Sequence, residues 1–156
     1  LQIVWGVPVK EFGVVEASIA RHPVRRKEMS IVKNNSESLH SKTKGKHAIT
    51  HWKVLKRFKN TSLIACRLKT GRTHQIRVHL KSIGHPLIGD KQYGKSPLRN
   101  FSGLSVALTK TIRSLPRQAL HAELLGFKHP VTEEWCEFKT HLPEDLSYLL
   151  NELQKS

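Results

Sequence analysis

The sequence predicts an α+β fold: a mixed, mainly antiparallel sheet with flanking helices. Three observations predict it. The segments "THWKVLKRF" and "TSLIACRLK" alternate apolar with polar residues on either side of a turn at Asn60, as two paired antiparallel strands require. Immediately afterwards, in "TGRTHQIRVHLKSIG", the apolar period becomes helical. With 156 residues the chain is long enough for one domain with a real core and short for two.

In chain order, "LQIVW" is a short apolar strand stopped by Gly6 and Pro8. "GVVEASIARHP" resumes an extended pattern until Pro23. From Arg25 the sequence turns basic, and residues 34–47 are polar, contain glycine and lack an apolar period. They read as a mobile basic loop or, equally on composition, a solvated hairpin tip. The strand pair about Asn60 follows. In the helix after it, Ile76, Leu80 and Ile83 form the core stripe and Gly84 the C-terminal stop. "SVALTKTIRSL" is a short helix bounded by Pro116, and "QALHAELLGFKHPVTEEWCEFKTHL" gives two strands joined at 129–134. Pro143, Glu144 and Asp145 open a last helix that faces Leu146, Leu149, Leu150 and Leu153 inward.

Lysine and arginine number 27 against 12 acidic residues, a formal charge of +15 spread along most of the chain. Such an excess favours a polyanionic partner, and with no apolar run of membrane-spanning length, nucleic acid fits better than a membrane surface. Cys66 and Cys136 have neither the number nor the spacing of a disulfide framework or a zinc site, which suits a reducing, intracellular compartment.

The densest chemistry lies in "GRTHQIRVHLKSIGHPLIGDKQYG". His74 and His79, five residues apart, project about 140° from each other on a helix, so they do not share a metal ion, and no metal is expected. Neither "TKGKH" nor "KTGRT" has the spacing of a phosphate-binding P-loop, and no serine or cysteine has a nucleophile's context. The helix instead displays a polar face with Arg77 and Lys81, His74 being about one turn earlier. Gly71, Arg72, Thr73 and Gln75 surround its start, where free backbone N–H groups favour an anion. A solvated basic face with a capping threonine accounts for the same pattern.

The run "LKTGRTHQIRVHLKSIGHPLIGDKQYG" closely resembles the signature of the RluA-type RNA pseudouridine synthases. The resemblance extends through "VWG", "ARHPVRRKEM", "GKHAITHWKVL" and "RQALHAELLGFKHP", nearly the whole chain, and is closest to the members acting on large-subunit ribosomal RNA. It implies the pseudouridine synthase fold and isomerisation of uridine in RNA, without cofactor or metal. It also implies that Arg77 orients and keeps ionised a catalytic aspartate through a bidentate contact. Arg21, Arg26, Arg72, His74 and Gln75 match positions that line or border the family's RNA cleft, although His22 and Gln75 also suit a role of satisfying backbone groups in turns. Tyr93, His85 and His121 read as structural, the last as a hydrogen-bonded core histidine.

Two departures shape the expectation. The family's "HRLD" aspartate and its active-site tyrosine belong before the segment that Leu1 begins, and neither Asp90 nor Asp145 stands in their place. Residues 1–156 are therefore expected to be a single partial catalytic domain, an incomplete version of the fold, inactive alone. An exposed sheet edge would then promote self-association. The 34–47 segment is the second departure, longer than the family's. RNA is the expected partner and the cytoplasm the expected location, with the mitochondrion as the eukaryotic alternative. A non-catalytic basic RNA-binding module is the competing reading, and a ribosome-associated structural protein a weaker third.

Overall fold

The computed structural model describes residues 1–32, 45–94 and 101–156. A curled sheet of five strands forms its centre: β1 (Gln2–Trp5), β2 (Phe12–Arg21), β3 (Met29–Val32), β4 (Lys46–Arg57) and β5 (Thr61–Leu68). Their spatial order is β1-β5-β4-β2-β3, every neighbouring pair antiparallel. Three helices flank it, α1 (Gln75–Ser82), α2 (Val106–Ser114) and α3 (Glu144–Lys155), and a separate hairpin is made by β6 (Leu124–Lys128) and β7 (Trp135–Lys139). The expected α+β class holds. Most of the 34–47 segment lies outside the described residues, but Lys46 and His47 already belong to β4.

Alternation along the strands decides which side chains are buried. Ile3 and Trp5 of β1 face α2 and α3, packing with Leu108, Ile112, Leu146, Leu149 and Leu153. Val4 points the other way and joins Val15, Trp52, Val54, Ile64 and Leu80 beneath α1. Each such aliphatic side chain taken fully out of water contributes about 1.5–3 kcal/mol, so the first cluster fixes α2 and α3 against the sheet and the second fixes α1. Helix α2 is capped by Ser105, whose hydroxyl accepts from the Leu108 amide at 3.1 Å. Asp145, at the start of α3, also takes both arms of Arg117, each at 2.8 Å, tying the helix to the segment beside β1.

The sheet edge at β1 is not open. Ile3 and Trp5 donate to the carbonyls of Ala119 and Pro86, and the Ile88 amide donates back to Ile3, so residues 86–88 and 119–121 serve as partners for the strand. Gly89 makes this possible: its φ is +71°, and a Cβ there would collide with the Arg117 carbonyl. Exposed apolar surface sits instead on the β6–β7 hairpin, where Leu124, Trp135 and Phe138 are 57%, 65% and 59% exposed. A two-stranded ribbon is marginal alone, and this one has apolar residues facing solvent. The chain thus supplies its own cover at the β1 edge, whereas β3 is the strand at the other end of the sheet.

Candidate functional site

The site is assembled where β5 ends and α1 begins. Gln75, the first helical residue, is only 3% exposed, and its side chain is fully engaged by the protein. Its Oε1 accepts from the Thr70 hydroxyl (2.8 Å) and the Arg72 amide (2.9 Å), and its Nε2 donates to the Ile49 carbonyl and the Thr50 hydroxyl, both at 3.0 Å. No donor or acceptor is left for RNA. Gln75 is a clamp that locks the 70–74 turn to β4, the role of satisfying backbone groups that its residue type also suited. The helix stripe differs from the expected one for the same reason. Ile76 and Ile83 are half-buried, while Gln75 and His79 are buried against the polar Thr50.

Thr50 also meets His79: its hydroxyl accepts from Gln75 and lies 2.9 Å from His79 Nδ1, to which it can donate. Burial pushes the His79 pKa below the ordinary histidine value, which favours the neutral imidazole.

The expected threonine cap is absent. His74 takes the N-cap position in the left-handed region, φ 55°, with no side-chain capping bond. That conformation turns its ring toward Tyr93: Nδ1 lies 2.9 Å from the phenolic oxygen and the rings meet edge to face at 5.5 Å. The same oxygen accepts from the Met29 amide at 2.6 Å. Burial, then the nearby Arg77 charge, lowers the His74 pKa, consistent with a neutral ring that accepts the tyrosine proton.

Arg77 lies over the Tyr93 ring, its guanidinium carbon 4.6 Å from the ring centre. Its Nε and Nη2 grip the two oxygens of Asp90 at 2.7 and 2.8 Å, and Nη2 also donates to Gln92 Oε1 at 3.1 Å. The Asp90 side chain is fully buried and Arg77 14% exposed. Burial alone pushes the Asp90 carboxyl up. The Arg77 fork and the amides of Tyr93 and Gln92 more than offset it, so the pKa lies below the ordinary carboxylate value. The bond to Asp90 in turn raises that of Arg77. The guanidinium fork, expected to meet an aspartate from elsewhere, is thus spent on the chain's own Asp90. Of the Arg77 nitrogens, only Nη1 has no hydrogen-bond partner among the described residues.

Around this centre the basic residues fall into two groups. Arg21 donates to the Arg26 carbonyl (3.0 Å), and His22 Nδ1 accepts the amides of Val24 and Arg25, shaping the 22–28 turn. Arg25 pairs with Glu28 at 3.3 Å, while the Arg26 side chain extends into solvent. Between this turn and residues 91–92 lies an open groove of about 670 Å³ lined by Arg25, Arg26, Lys27, Glu28, Lys91 and Gln92. Arg72 stands apart, exposed and reaching the His47 carbonyl at 3.2 Å.

Arg77 and His74 therefore meet on Tyr93, and Arg21 and Arg26 meet in the basic turn, whereas Arg72 belongs to the β4 side. Sequence reasoning missed Asp90, Gln92 and Tyr93 as members of the centre. The signal was the compact "GDKQYG" turn, the nearest acidic residue to an arginine on a packed helix. His121 also departs from expectation, its Nε2 being buried without a hydrogen-bond partner. Burial pushes the Cys66 thiol pKa up to about 12, which disfavours the nucleophilic thiolate.

A family model described as RNA pseudouridylate synthase matches residues 3–82. An uncharacterized RNA pseudouridine synthase of Bacillus subtilis, YlyB, is 40% identical over 154 residues, covering 99% of this chain and 43% of that protein. The ribosomal large subunit pseudouridine synthase D of Zymomonas mobilis is 42% identical over 144 residues, 92% of this chain and 41% of that one. The chain thus spans about two fifths of the length of these relatives. Among solved structures, human RNA pseudouridylate synthase domain containing 4 superposes with a TM-score of 0.71 at 24% identity, over 98% of this chain and 60% of that one, a likeness of fold.

Proposed function

The chain belongs to the RNA pseudouridylate synthase family, and on that premise we propose that it is the carboxyl-terminal part of an enzyme converting uridine to pseudouridine in RNA, with large-subunit ribosomal RNA the foremost substrate. The observation that carries the reading is the Arg77 centre: a guanidinium held by Asp90 and Tyr93 with one amino group, Nη1, uncommitted.

The conversion is an isomerisation. The bond between ribose and N1 of uracil breaks, the base turns, a bond to C5 forms, and the C5 proton is released while N1 gains one. Atoms and electrons balance within the nucleotide and water, so no cofactor, metal or redox partner is needed. On this reading the catalytic aspartate is supplied from outside residues 1–156. Arg77 orients it through Nη1, a single charge-assisted hydrogen bond in place of the bidentate grip that Asp90 has taken. Arg21, Arg26 and Arg72 contact RNA phosphates, and His74 borders the same cleft. Gln75 contributes from beneath by holding the turn that carries Arg72 and His74. Such an enzyme works in the cytoplasm, or in the mitochondrion of a eukaryote. No helix of the described residues is long and apolar enough to cross a membrane.

Residues 1–156 alone are expected to bind RNA without turnover. In the parent-length protein, Arg77→Ala is expected to abolish pseudouridine formation, read by tritium release from uridine-labelled RNA, while RNA affinity stays within about 3-fold, as for loss of an interaction made at the reacting centre. Normal turnover in that variant refutes the role given to Arg77. A fall in affinity with no effect on turnover at saturating RNA would make Arg77 an RNA-binding residue only.

A further inference from the structure

Gln92 occupies an unusual junction. Its backbone amide donates to Asp90 Oδ1 at 3.0 Å, closing the turn. Its side chain then spans two structures that are far apart in sequence: Oε1 accepts from Arg77 Nη2 at 3.1 Å, and Nε2 donates to the Lys27 carbonyl at 2.6 Å. The amide's orientation is not arbitrary. A guanidinium can only donate and a carbonyl can only accept, so only this placement of oxygen and nitrogen satisfies both. Lys27 belongs to the basic turn that, with Lys91 and Gln92 itself, walls the 670 Å³ groove. Tyr93 repeats the linkage one residue on, stacking on Arg77 while its hydroxyl accepts from the Met29 amide.

We propose that this groove seats a phosphodiester of the RNA backbone and that Gln92 is a positioning residue coupling that seat to Arg77. The inference rests on the RNA-modifying reading above and adds to it a specific seat and a specific strut. Four cationic side chains and one carboxylate line the groove. Since Arg25 is already paired with Glu28, Arg26, Lys27 and Lys91 supply the charge for a phosphate. A strand docked there bears on the 25–28 turn. Through the Lys27 carbonyl and the Gln92 amide, the turn and the guanidinium are held at a fixed separation. The RNA is thereby registered against Arg77 by a contact that touches no base.

The test uses the parent-length protein and a uridine-labelled RNA. Gln92→Met keeps side-chain length and the backbone bond to Asp90 but removes both side-chain links. Turnover at saturating RNA should fall about 10-fold, the size expected when a hydrogen bond to a charged group is lost, with KM changed less than about 2-fold. In an Arg77→Lys background the same substitution should cost less than about 2-fold, because its effect runs through Arg77. Lys27→Gln and Lys91→Gln should each lower the slope of log affinity against log salt by about 0.7–0.9, as for one lost phosphate contact. Full turnover by Gln92→Met with only a lowered melting temperature would make it mere turn glue and overturn the coupling. An equal loss in the Arg77→Lys background would overturn action through Arg77, and unchanged salt slopes would overturn the seat. A wild-type parent that binds RNA but forms no pseudouridine would instead refute the functional reading, a result visible before any variant is compared.

Discussion

Gln75→Met separates a structural role from an RNA contact at one position. The substitution conserves length and apolar volume, so its main effect is the loss of four hydrogen bonds, to Thr70, Arg72, Ile49 and Thr50. A net contribution of about 1 kcal/mol each gives a destabilisation of about 4 kcal/mol. Burial strengthens the case, since Thr50 is wholly inaccessible and its hydroxyl loses a donor. For a chain of this size each kcal/mol moves the melting temperature by about 2–4 °C, so the midpoint should drop by about 8–16 °C. Urea unfolding followed by the fluorescence of the buried Trp5 and Trp52 gives the free energy directly. RNA affinity, measured well below the midpoint, should stay within about 2-fold, because the lost bonds all lie inside the protein. A midpoint shift under about 2 °C together with a loss of affinity above about 10-fold would refute the reasoning and restore Gln75 to the RNA surface.

Other consequences are equally direct. Asp90→Ala strands the Arg77 guanidinium beside a void and should cost about 3–5 kcal/mol by urea unfolding; an unchanged midpoint would deny the pair a structural role. His79 has a depressed folded-state pKa, so the unfolded chain binds its proton first as the pH falls. Stability is complete above the ordinary histidine value, about 6.5, and is lost below it at up to about 1.4 kcal/mol per pH unit. In His79→Gln that part of the slope should vanish, and an unaltered pH profile would contradict a buried neutral imidazole. Cys66 should alkylate with iodoacetamide at pH 8 roughly 100-fold more slowly than a free thiol, given its raised pKa; labelling at the free-thiol rate would show the strand to be open there.

Elements governed by local pattern were legible in the sequence. The strand pair around Asn60, the leucine face of α3, the hairpin turning at 129–134 and the stop at Gly84, whose φ is +86°, all appear where alternation, period or turn chemistry puts them. What stayed hidden depends on partners distant in sequence. The cover of β1 by 86–88 and 119–121 has no periodic signature, because those segments form single bridges and not strands. The inner face of α1 was read in part: Ile76, Leu80 and Ile83 do join the core, but the face's contacts with Thr50 of β4 are polar. Hydrophobic periodicity registers Ile76 and Ile83 but not a Gln75–Thr50–His79 chain.

Arg77 shows the same limit in the site itself. Its display from a packed helix follows from the sequence, but its partner thirteen residues on, beyond a helix end and a proline, does not. That partner changes the chemistry expected of an incoming acid. A guanidinium has five N–H bonds. Asp90 takes two and Gln92 one, which leaves the two on Nη1. On the proposed reading, the catalytic carboxylate meets a cation whose charge Asp90 has already balanced, so its pKa is lowered less than a lone arginine would lower it. It remains oriented by a hydrogen bond yet keeps more of the basicity that a nucleophile needs, whereas an unpaired arginine would hold the acid tightly ionised and make it less reactive. Asp90 thus does two jobs with one bond pair: it holds Arg77 in place, and it moderates the charge that Arg77 presents.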